Sequence, residues 1–178
     1  MKKVVVISST PRVGGNSEVL SAEFVRGAKA AGHSVDFIRL RDYDLKYCLG
    51  CYACVKEGKC IIRDGMNELA QKLVAADVIL FATPVYFYSM SGQLKVFIDR
   101  LVPTYSKIHA DIYLIATQWD PNPKAMELTF EAIRGCTRDC LEGCTEKGVL
   151  YGVDLDEKGS AAKNVEYMAQ AFEMGKNC

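Results

Sequence analysis

Short apolar runs alternate with amphipathic stretches along the whole chain, and few folds accommodate such a pattern. The first run, KVVVIS, is continuously apolar, as expected of a strand buried on both faces of a sheet. Alternating strands and helices are typical of a parallel sheet covered by helices. We therefore predict an α/β fold whose second, more polar strand lies nearer an edge. The predicted strands cover residues 3–8, 35–40, 77–83, 111–117 and 147–153.

The stretches between these runs have the apolar spacing of helices that pack on one face. Leu20 and Phe24 recur at helical spacing, and Gly32 follows where a helix C-cap is expected. Asp64 is placed to cap a second helix, whose apolar face includes Leu69. The predicted helices cover residues 20–31, 66–73, 91–101, 124–143 and 161–175.

The composition is that of an ordinary globular protein, with 178 residues that are 49% hydrophobic and 25% charged. We find no linker or repeat, and predict that residues 1–178 form one domain. Lys and Arg number 22, as do Asp and Glu, so no net charge attracts nucleic acid or an anionic membrane. The apolar runs are too short for a bilayer span, and the first is too short for a signal peptide, which indicates a cytoplasmic protein.

The loop after the first strand, SSTPRVGGNSE (8–18), has the groups that bind a phosphate. Thr10 and Ser17 supply hydroxyls, Asn16 an amide, Arg12 a charge, and the following helix its N-terminus. Gly15 allows the backbone to approach a ligand. The loop is neither a GxxxxGK[ST] nucleotide loop nor a GxGxxG dinucleotide fingerprint, which favours a mononucleotide phosphate. The alternative is an ordinary turn between strand and helix, where these residue types are common.

The loop after the third strand, TPVYFYSMSGQLK (83–95), has consecutive aromatic residues at positions 86–88. Tyr86, Phe87 and Tyr88 cannot all point from a loop into one core, so some are exposed or face a flat ligand. An isoalloxazine ring has both a broad face and a polar edge that main-chain N–H groups can bind. The alternatives are that the aromatic residues cap the sheet or form a dimer contact.

A cysteine-rich loop, residues 46–63, lies between these two loops. In a reducing cytoplasm such clustered thiols are more often metal ligands or redox groups than disulfides. Structural zinc sites usually combine two turns that are distant in the sequence and donate two ligands each. Repeated Cys-x-x-Cys spacing within one segment is instead typical of cubane iron-sulfur clusters. Because thiolates suit either metal, a cluster, a zinc ion and free thiols all remain open. The thiols are Cys48, Cys51, Cys54 and Cys60.

Three further cysteines, Cys136, Cys140 and Cys144, share one stripe of the long predicted helix. Cysteine commonly behaves as a small buried apolar residue, and we predict that role for them. The alternative is a second metal site that includes Cys178, since thiols four residues apart on a helix can share an ion.

The motifs together resemble a known group of proteins. STPRVGGNS looks like the phosphate loop of NAD(P)H-dependent FMN reductases, and PVYFYSMSGQLKVFIDR resembles their flavin-ring loop and following helix. With CLGCYACVKEGKC between them, the arrangement is similar to the iron-sulfur flavoprotein family, from residue 3 to about residue 100. The resemblance implies a three-layer flavodoxin-like fold, with a five-stranded parallel sheet in the order 2-1-3-4-5 and helices on both faces.

Carried over by position, the resemblance implies that the first loop holds the FMN phosphate, the second lines the isoalloxazine, and a third loop closes the pocket. Ser9 and Thr10 stand where Gly and Ser are usual, and Tyr88 where a small residue is common, which implies a tighter or more shielded ring pocket. The implied FMN-binding residues are Ser9, Thr10, Arg12, Gly15, Asn16, Ser17, Pro84, Val85, Tyr86, Phe87, Thr117 and Trp119.

The resemblance also implies a [4Fe-4S] cluster bound by Cys48, Cys51, Cys54 and Cys60. The function would be an FMN-dependent oxidoreductase that passes electrons from ferredoxin or NAD(P)H to a small-molecule acceptor, as a homodimer or homotetramer. No side chain is required as an acid or base, so no catalytic residue is predicted. Three alternatives remain: a cluster-free NAD(P)H-dependent FMN or quinone reductase, a non-enzymatic flavodoxin-like electron carrier, and a zinc-stabilised binding domain without flavin.

Overall fold

The computed structural model describes all 178 residues. Its centre is a five-stranded sheet in which every neighbouring pair is parallel, in the order β2-β1-β3-β4-β5. The predicted fold class and strand order are confirmed, and the more polar second strand lies at an edge. The strands are β1 (Lys3–Ser8), β2 (Ser34–Arg39), β3 (Val78–Pro84), β4 (Asp111–Thr117) and β5 (Thr145–Gly152).

The chain forms six α-helices and four short 3-10 helices. The α-helices are α1 (Asn16–Ala30), α2 (Ala53–Glu57), α3 (Met66–Val74), α4 (Gly92–Asp99), α5 (Glu127–Thr137) and α6 (Val165–Lys176). The 3-10 helices are Leu40–Asp42, Tyr105–Lys107, Pro123–Met126 and Ser160–Lys163. None of these helices combines the length and the hydropathy that crossing a bilayer requires.

Three of the predicted helices differ from the observed ones by four residues or more at one end, and the first of them, α1, begins at Asn16 rather than at 20. The helix predicted over 124–143 is a 3-10 helix followed by α5, which ends at Thr137. Beyond α5 the N–H of Leu141 donates to the carbonyl of Cys136, one residue farther back than in an α-helix, so the regular pattern stops. The last helix begins at Val165 rather than at 161, because the side chain of Asn164 caps it.

The sheet supports an apolar core on each face, because successive residues of a strand point to opposite sides. Val5 and Ile7 of β1 pack with residues from α3, α4 and α5. Val4 and Val6 pack on the other face with residues from α1 and α6. Helices therefore form a layer on both faces, as predicted.

Helices α1 and α6 approach each other so closely that two glycines are required. A Cβ atom on Gly27 would overlap the carbonyl oxygen of Phe172, and one on Gly175 would overlap the carbonyl oxygen of Phe24. Neither glycine has a positive φ. The close contact of the two backbones, rather than an unusual backbone conformation, therefore explains both residues.

The cysteines outside the cysteine-rich loop do not form a common site. Cys136 and Cys144 pack against the core on the α5 face, whereas Cys140 is exposed. Cys178 is buried in the core on the opposite face. Burial raises the pKa of the Cys136 thiol to about 12. The structure therefore favours an apolar role over a second metal site for Cys136, Cys144 and Cys178, whereas the buried role predicted for Cys140 is wrong.

Candidate functional site

A cavity of about 500 Å³ opens where β1, β3 and β4 end. The three loops predicted from the sequence form most of its wall, and Arg12 and Tyr86 share it. A fourth segment, residues 155–158, contributes Leu155, Asp156 and Lys158 and was not predicted. Of the residues expected to bind FMN, those that line the cavity are Thr10, Arg12, Gly15, Asn16, Ser17, Pro84, Val85, Tyr86, Phe87, Thr117 and Trp119.

The first loop presents unpaired donors to the cavity. Gly15 is the N-cap of α1, so the N–H groups of the first turn lack partners within the helix. The hydroxyl of Ser17 is buried and has no hydrogen-bond partner in the protein. A Cβ atom on Gly15 would lie 2.7 Å from Oγ1 of Thr10, so only glycine leaves this space open. Such a set of donors is typical of an anion site.

Asn16 has a different role from the one predicted for its amide. Its Nδ2 donates to the carbonyl oxygens of Leu155, at 3.1 Å, and Glu157, at 2.9 Å. Its Oδ1 accepts from the N–H of Ala161 at 3.1 Å. The side chain therefore holds the fourth segment against the first loop, which leaves its main-chain N–H for a ligand.

Glu18 fixes the other side of the first loop. Its carboxylate accepts from the N–H of Gly14, at 2.8 Å, and from the side chains of Arg39, at 2.6 Å, and Arg41, at 2.8 and 2.9 Å. Burial alone would raise the pKa of Glu18, but the hydrogen bonds from Arg41 and Arg39 outweigh it and lower the pKa to about 2. The charged form of Glu18 thus ties the loop to the end of β2.

We expect the stability of the protein to fall in acid because of Glu18. Its pKa decreases from 4.5 to about 2 on folding, so its stabilising effect is complete above pH 4.5 and is lost as the pH falls towards 2. The loss amounts to at most roughly 3 kcal/mol. Urea unfolding between pH 6 and about pH 2.5 should show a shallower pH dependence for Glu18→Gln than for the parent protein. Equal slopes would contradict this role.

The second loop is a tight turn that exposes its aromatic residues. Tyr86 and Ser89 exchange two main-chain hydrogen bonds, and Phe87 and Tyr88 between them have positive φ angles of 49° and 59°. The main-chain N–H groups of Phe87 and Tyr88 make no hydrogen bond within the protein. Phe87 is 100% exposed, and Trp119 is exposed as well. The turn therefore offers aromatic faces and free N–H donors at the rim.

Ser9 lies behind the cavity instead of lining it, which corrects its predicted role. Its hydroxyl donates to the carbonyl of Ala82 at 2.9 Å and lies 2.9 Å from the hydroxyl of Ser91. Ser91 in turn caps α4, and its N–H donates to Oγ1 of Thr83. These buried contacts join the first loop to the second, so Ser9 supports the geometry of the cavity.

The cysteine-rich loop leaves the same edge of the sheet, after β2. Its four thiols are free, with Cys48 and Cys51 exposed and Cys54 and Cys60 half-buried. No three His, Cys, Asp or Glu side chains come together as a metal site. Four free thiols within one short loop nevertheless match the ligand set of a zinc ion or an iron-sulfur cluster. The four thiols are chemically suited to such a centre, but the structure does not bring them together as a complete set of ligands.

Comparison with known proteins identifies sequence relatives. A family model described as NADPH-dependent FMN reductase matches residues 2–116. The iron-sulfur flavoprotein MJ1083 of Methanocaldococcus jannaschii is 42% identical over 101 residues, which are 57% of this chain and 52% of that protein. The putative NAD(P)H-dependent FMN-containing oxidoreductase YwqN of Bacillus subtilis is 33% identical over 104 residues, 55% of this chain and 51% of that protein. The chain spans about half the length of the curated relatives it matches.

Solved structures with the same fold cover the whole chain. An NAD(P)H:quinone oxidoreductase from Methanothermobacter marburgensis has a TM-score of 0.73 at 17% identity, covering 99% of this chain and 96% of that one. An FMN-dependent NADH-azoreductase from Bacillus anthracis, in complex with FMN, has a TM-score of 0.68 at 14% identity, covering 99% and 97%. These likenesses confirm the predicted flavodoxin-like fold. Since the family model matches well over half of its residues, the chain belongs to the NADPH-dependent FMN reductase family.

Proposed function

We propose that the protein is a flavin-dependent oxidoreductase that binds FMN in the cavity between its loops. The observation that carries this proposal is the hydroxyl of Ser17, which is buried in the cavity wall without a partner. A buried hydroxyl without a hydrogen bond is costly, and a phosphate oxygen would satisfy it. The family match to FMN reductases supports the same ligand.

The phosphate would bind at the N-terminus of α1. Ser17 and Thr10 would donate from their hydroxyls, and the main-chain N–H groups of the first turn would donate alongside the helix dipole. Arg12 is exposed at the cavity and would supply a charge-assisted contact. Gly15 leaves room for the phosphate, because any side chain there would collide with Thr10.

The isoalloxazine would lie against the second loop. Pro84 to Phe87 would line one side, and the unpaired N–H groups of Phe87 and Tyr88 are suited to bind acceptors on the edge of the ring. Trp119, after β4, would cover it from the third loop. When bound, FMN supplies the hydride and electron chemistry, and these residues orient it and exclude water.

We expect Ser17→Ala to weaken FMN binding. The hydroxyl would lose a charge-assisted hydrogen bond of about 1.5–3 kcal/mol, which corresponds to a roughly 10- to 100-fold loss of affinity. Fluorescence titration of the flavin-free protein with FMN would measure it. Ser21→Ala is the matched control, because Ser21 is equally buried on α1 but donates to the carbonyl of Ser17 and does not line the cavity.

The proposal fails if the parent protein takes up no FMN, or if Ser17→Ala binds it as tightly as the parent does. Steady-state oxidation of NAD(P)H with a quinone acceptor separates an enzyme from a non-enzymatic electron carrier. The donor, the acceptor, the cytoplasmic location and the homo-oligomeric state remain predictions.

The finer part of the proposal is a [4Fe-4S] cluster bound by the cysteine-rich loop, which would relay electrons to or from the flavin. The four free thiols and the similarity to iron-sulfur flavoproteins support it. Anaerobically purified protein is expected to contain iron and acid-labile sulfide in equal amounts. Stoichiometric zinc would favour the zinc alternative, and flavin without metal would favour the cluster-free reductase.

A further inference from the structure

The guanidinium of Arg100 contacts both ends of the cysteine-rich loop and is almost completely buried. The side chain of Arg100 is 1% exposed, and that of its partner Asp64 is 6% exposed. Arg100 is the C-cap residue of α4, so this helix carries it into place. Burying a guanidinium is costly, and its Nε has no partner here. The contacts of the two terminal nitrogens must therefore outweigh that cost.

The two terminal nitrogens join distant parts of the loop. Nη1 donates to the carbonyl oxygen of Lys46 at 2.9 Å and also to Asp64. Nη2 donates to Asp64 at 2.9 Å and to Sγ of Cys60 at 3.2 Å. The main-chain N–H of Lys46 donates to Asp64 as well, at 2.8 Å. The beginning and the end of the loop thus meet at one buried ion pair.

Cys60 is the thiol that residues outside the loop hold in place. The side chain of Asn67 binds both the N–H and the carbonyl oxygen of Cys60, at 2.9 and 2.8 Å, while Arg100 binds its sulfur. The sulfur of Cys48, in contrast, accepts a hydrogen bond only from the N–H of Gly50, within the loop itself, at 3.5 Å. The structure therefore orients Cys60 through side chains from outside the loop, and no such contact orients Cys48.

We propose that Arg100 is a positioning residue that holds Cys60 as the fixed ligand, around which the other thiols close when the loop takes up a metal centre. This inference rests on the proposed metal-binding function of the loop. Residues that orient metal ligands typically contribute 10- to 100-fold to metal affinity. Lysine cannot replace Arg100, because its single ammonium group cannot contact Lys46, Asp64 and Cys60 at the same time as the planar guanidinium does.

The test is an anaerobic titration of the reduced, metal-free protein with Co²⁺, followed by thiolate-to-metal absorption. Arg100→Gln and Arg100→Lys are expected to bind Co²⁺ roughly 10- to 100-fold more weakly than the parent protein. Arg134→Gln is the matched control and should bind like the parent, since Arg134 pairs with Glu131 and Glu146, outside the loop.

A double-mutant cycle with Cys60→Ser separates positioning from a general effect on folding. If Arg100 acts through Cys60, adding Arg100→Lys to Cys60→Ser should not weaken Co²⁺ binding further. An equal loss in both backgrounds, or parent-like affinity in both single Arg100 variants, would overturn the inference while leaving the metal function intact. Failure of the parent protein to bind Co²⁺ would overturn the metal function and the inference with it. Arg100→Lys serves if Arg100→Gln does not fold.

Discussion

Gly27→Ala is expected to lower the free energy of unfolding by about 3 kcal/mol, near the upper end of the usual cost of overpacking. The added methyl group would overlap the carbonyl oxygen of Phe172 and lie 2.9 Å from the main-chain nitrogen of Lys176. Both atoms belong to the backbone of α6, so no side chain can move aside, and the two helices must separate. Separation would expose the apolar side chains that α1 and α6 bury against the sheet. Urea unfolding at neutral pH measures the change.

Gly135→Ala is the matched control for this prediction. Gly135 also lies inside a helix, α5, but a Cβ atom there would meet nothing within 4 Å. Alanine favours helix by about 1 kcal/mol over glycine, so this variant should be as stable as the parent or more stable. If Gly27→Ala were stabilised like Gly135→Ala, the close contact between α1 and α6 would be disproved.

Asp64→Ala is expected to destabilise the protein by about 3–5 kcal/mol, because it leaves the guanidinium of Arg100 buried without a counter-charge. The variant also loses the hydrogen bonds that the main-chain N–H groups of Lys46 and Met66 donate to the Asp64 carboxylate. Burial alone would raise the pKa of Asp64, but the hydrogen bonds from Arg100, Lys46 and Met66 and the charge of Arg100 together outweigh it and lower the pKa, so the carboxylate is ionised near neutral pH. Urea unfolding of the metal-free protein measures the loss.

A double variant tests whether the loss comes from the unpaired charge. Asp64→Leu with Arg100→Met replaces the ion pair by apolar side chains, and it should be more stable than Asp64→Ala. Lys95→Met removes a cation from an exposed ion pair on α4 and should change stability by less than about 1 kcal/mol. If the double variant loses as much free energy of unfolding as the single variants Asp64→Leu and Arg100→Met lose when added together, the pair is not coupled.

The sheet was predictable because its strands have a strong local pattern. The bounds of β1 agree with the prediction, and those of β3 differ by one residue. The place of the loop after β1 in the cavity wall was also predictable, since Gly15 and Ser17 are close in sequence to the strand that precedes them. Parallel strands place the loops after β1, β3 and β4 at one edge, so the joint cavity followed from the strand order.

The remaining parts of the site depend on contacts between residues that are distant in sequence. From its loop, Asn16 looks like a phosphate ligand. Its side-chain amide instead forms hydrogen bonds with a segment 139 to 145 positions away in the sequence. Arg100 looks like a residue on the polar face of an amphipathic helix, and its burial is explained by contacts with Asp64, 36 positions away, and with Lys46 and Cys60. No local signal marks Leu155 or Lys158 as cavity residues. Tertiary contacts of this kind override what a short motif indicates.

The hydrogen bonds of Asn16 have a consequence for the order of events during synthesis. The first loop is synthesised 139 to 145 residues before its partners Leu155, Glu157 and Ala161. The wall that they form cannot close until those residues have emerged from the ribosome. The nascent protein therefore presents an incomplete pocket up to that point, and a cofactor would be held tightly only after this segment has joined the first loop.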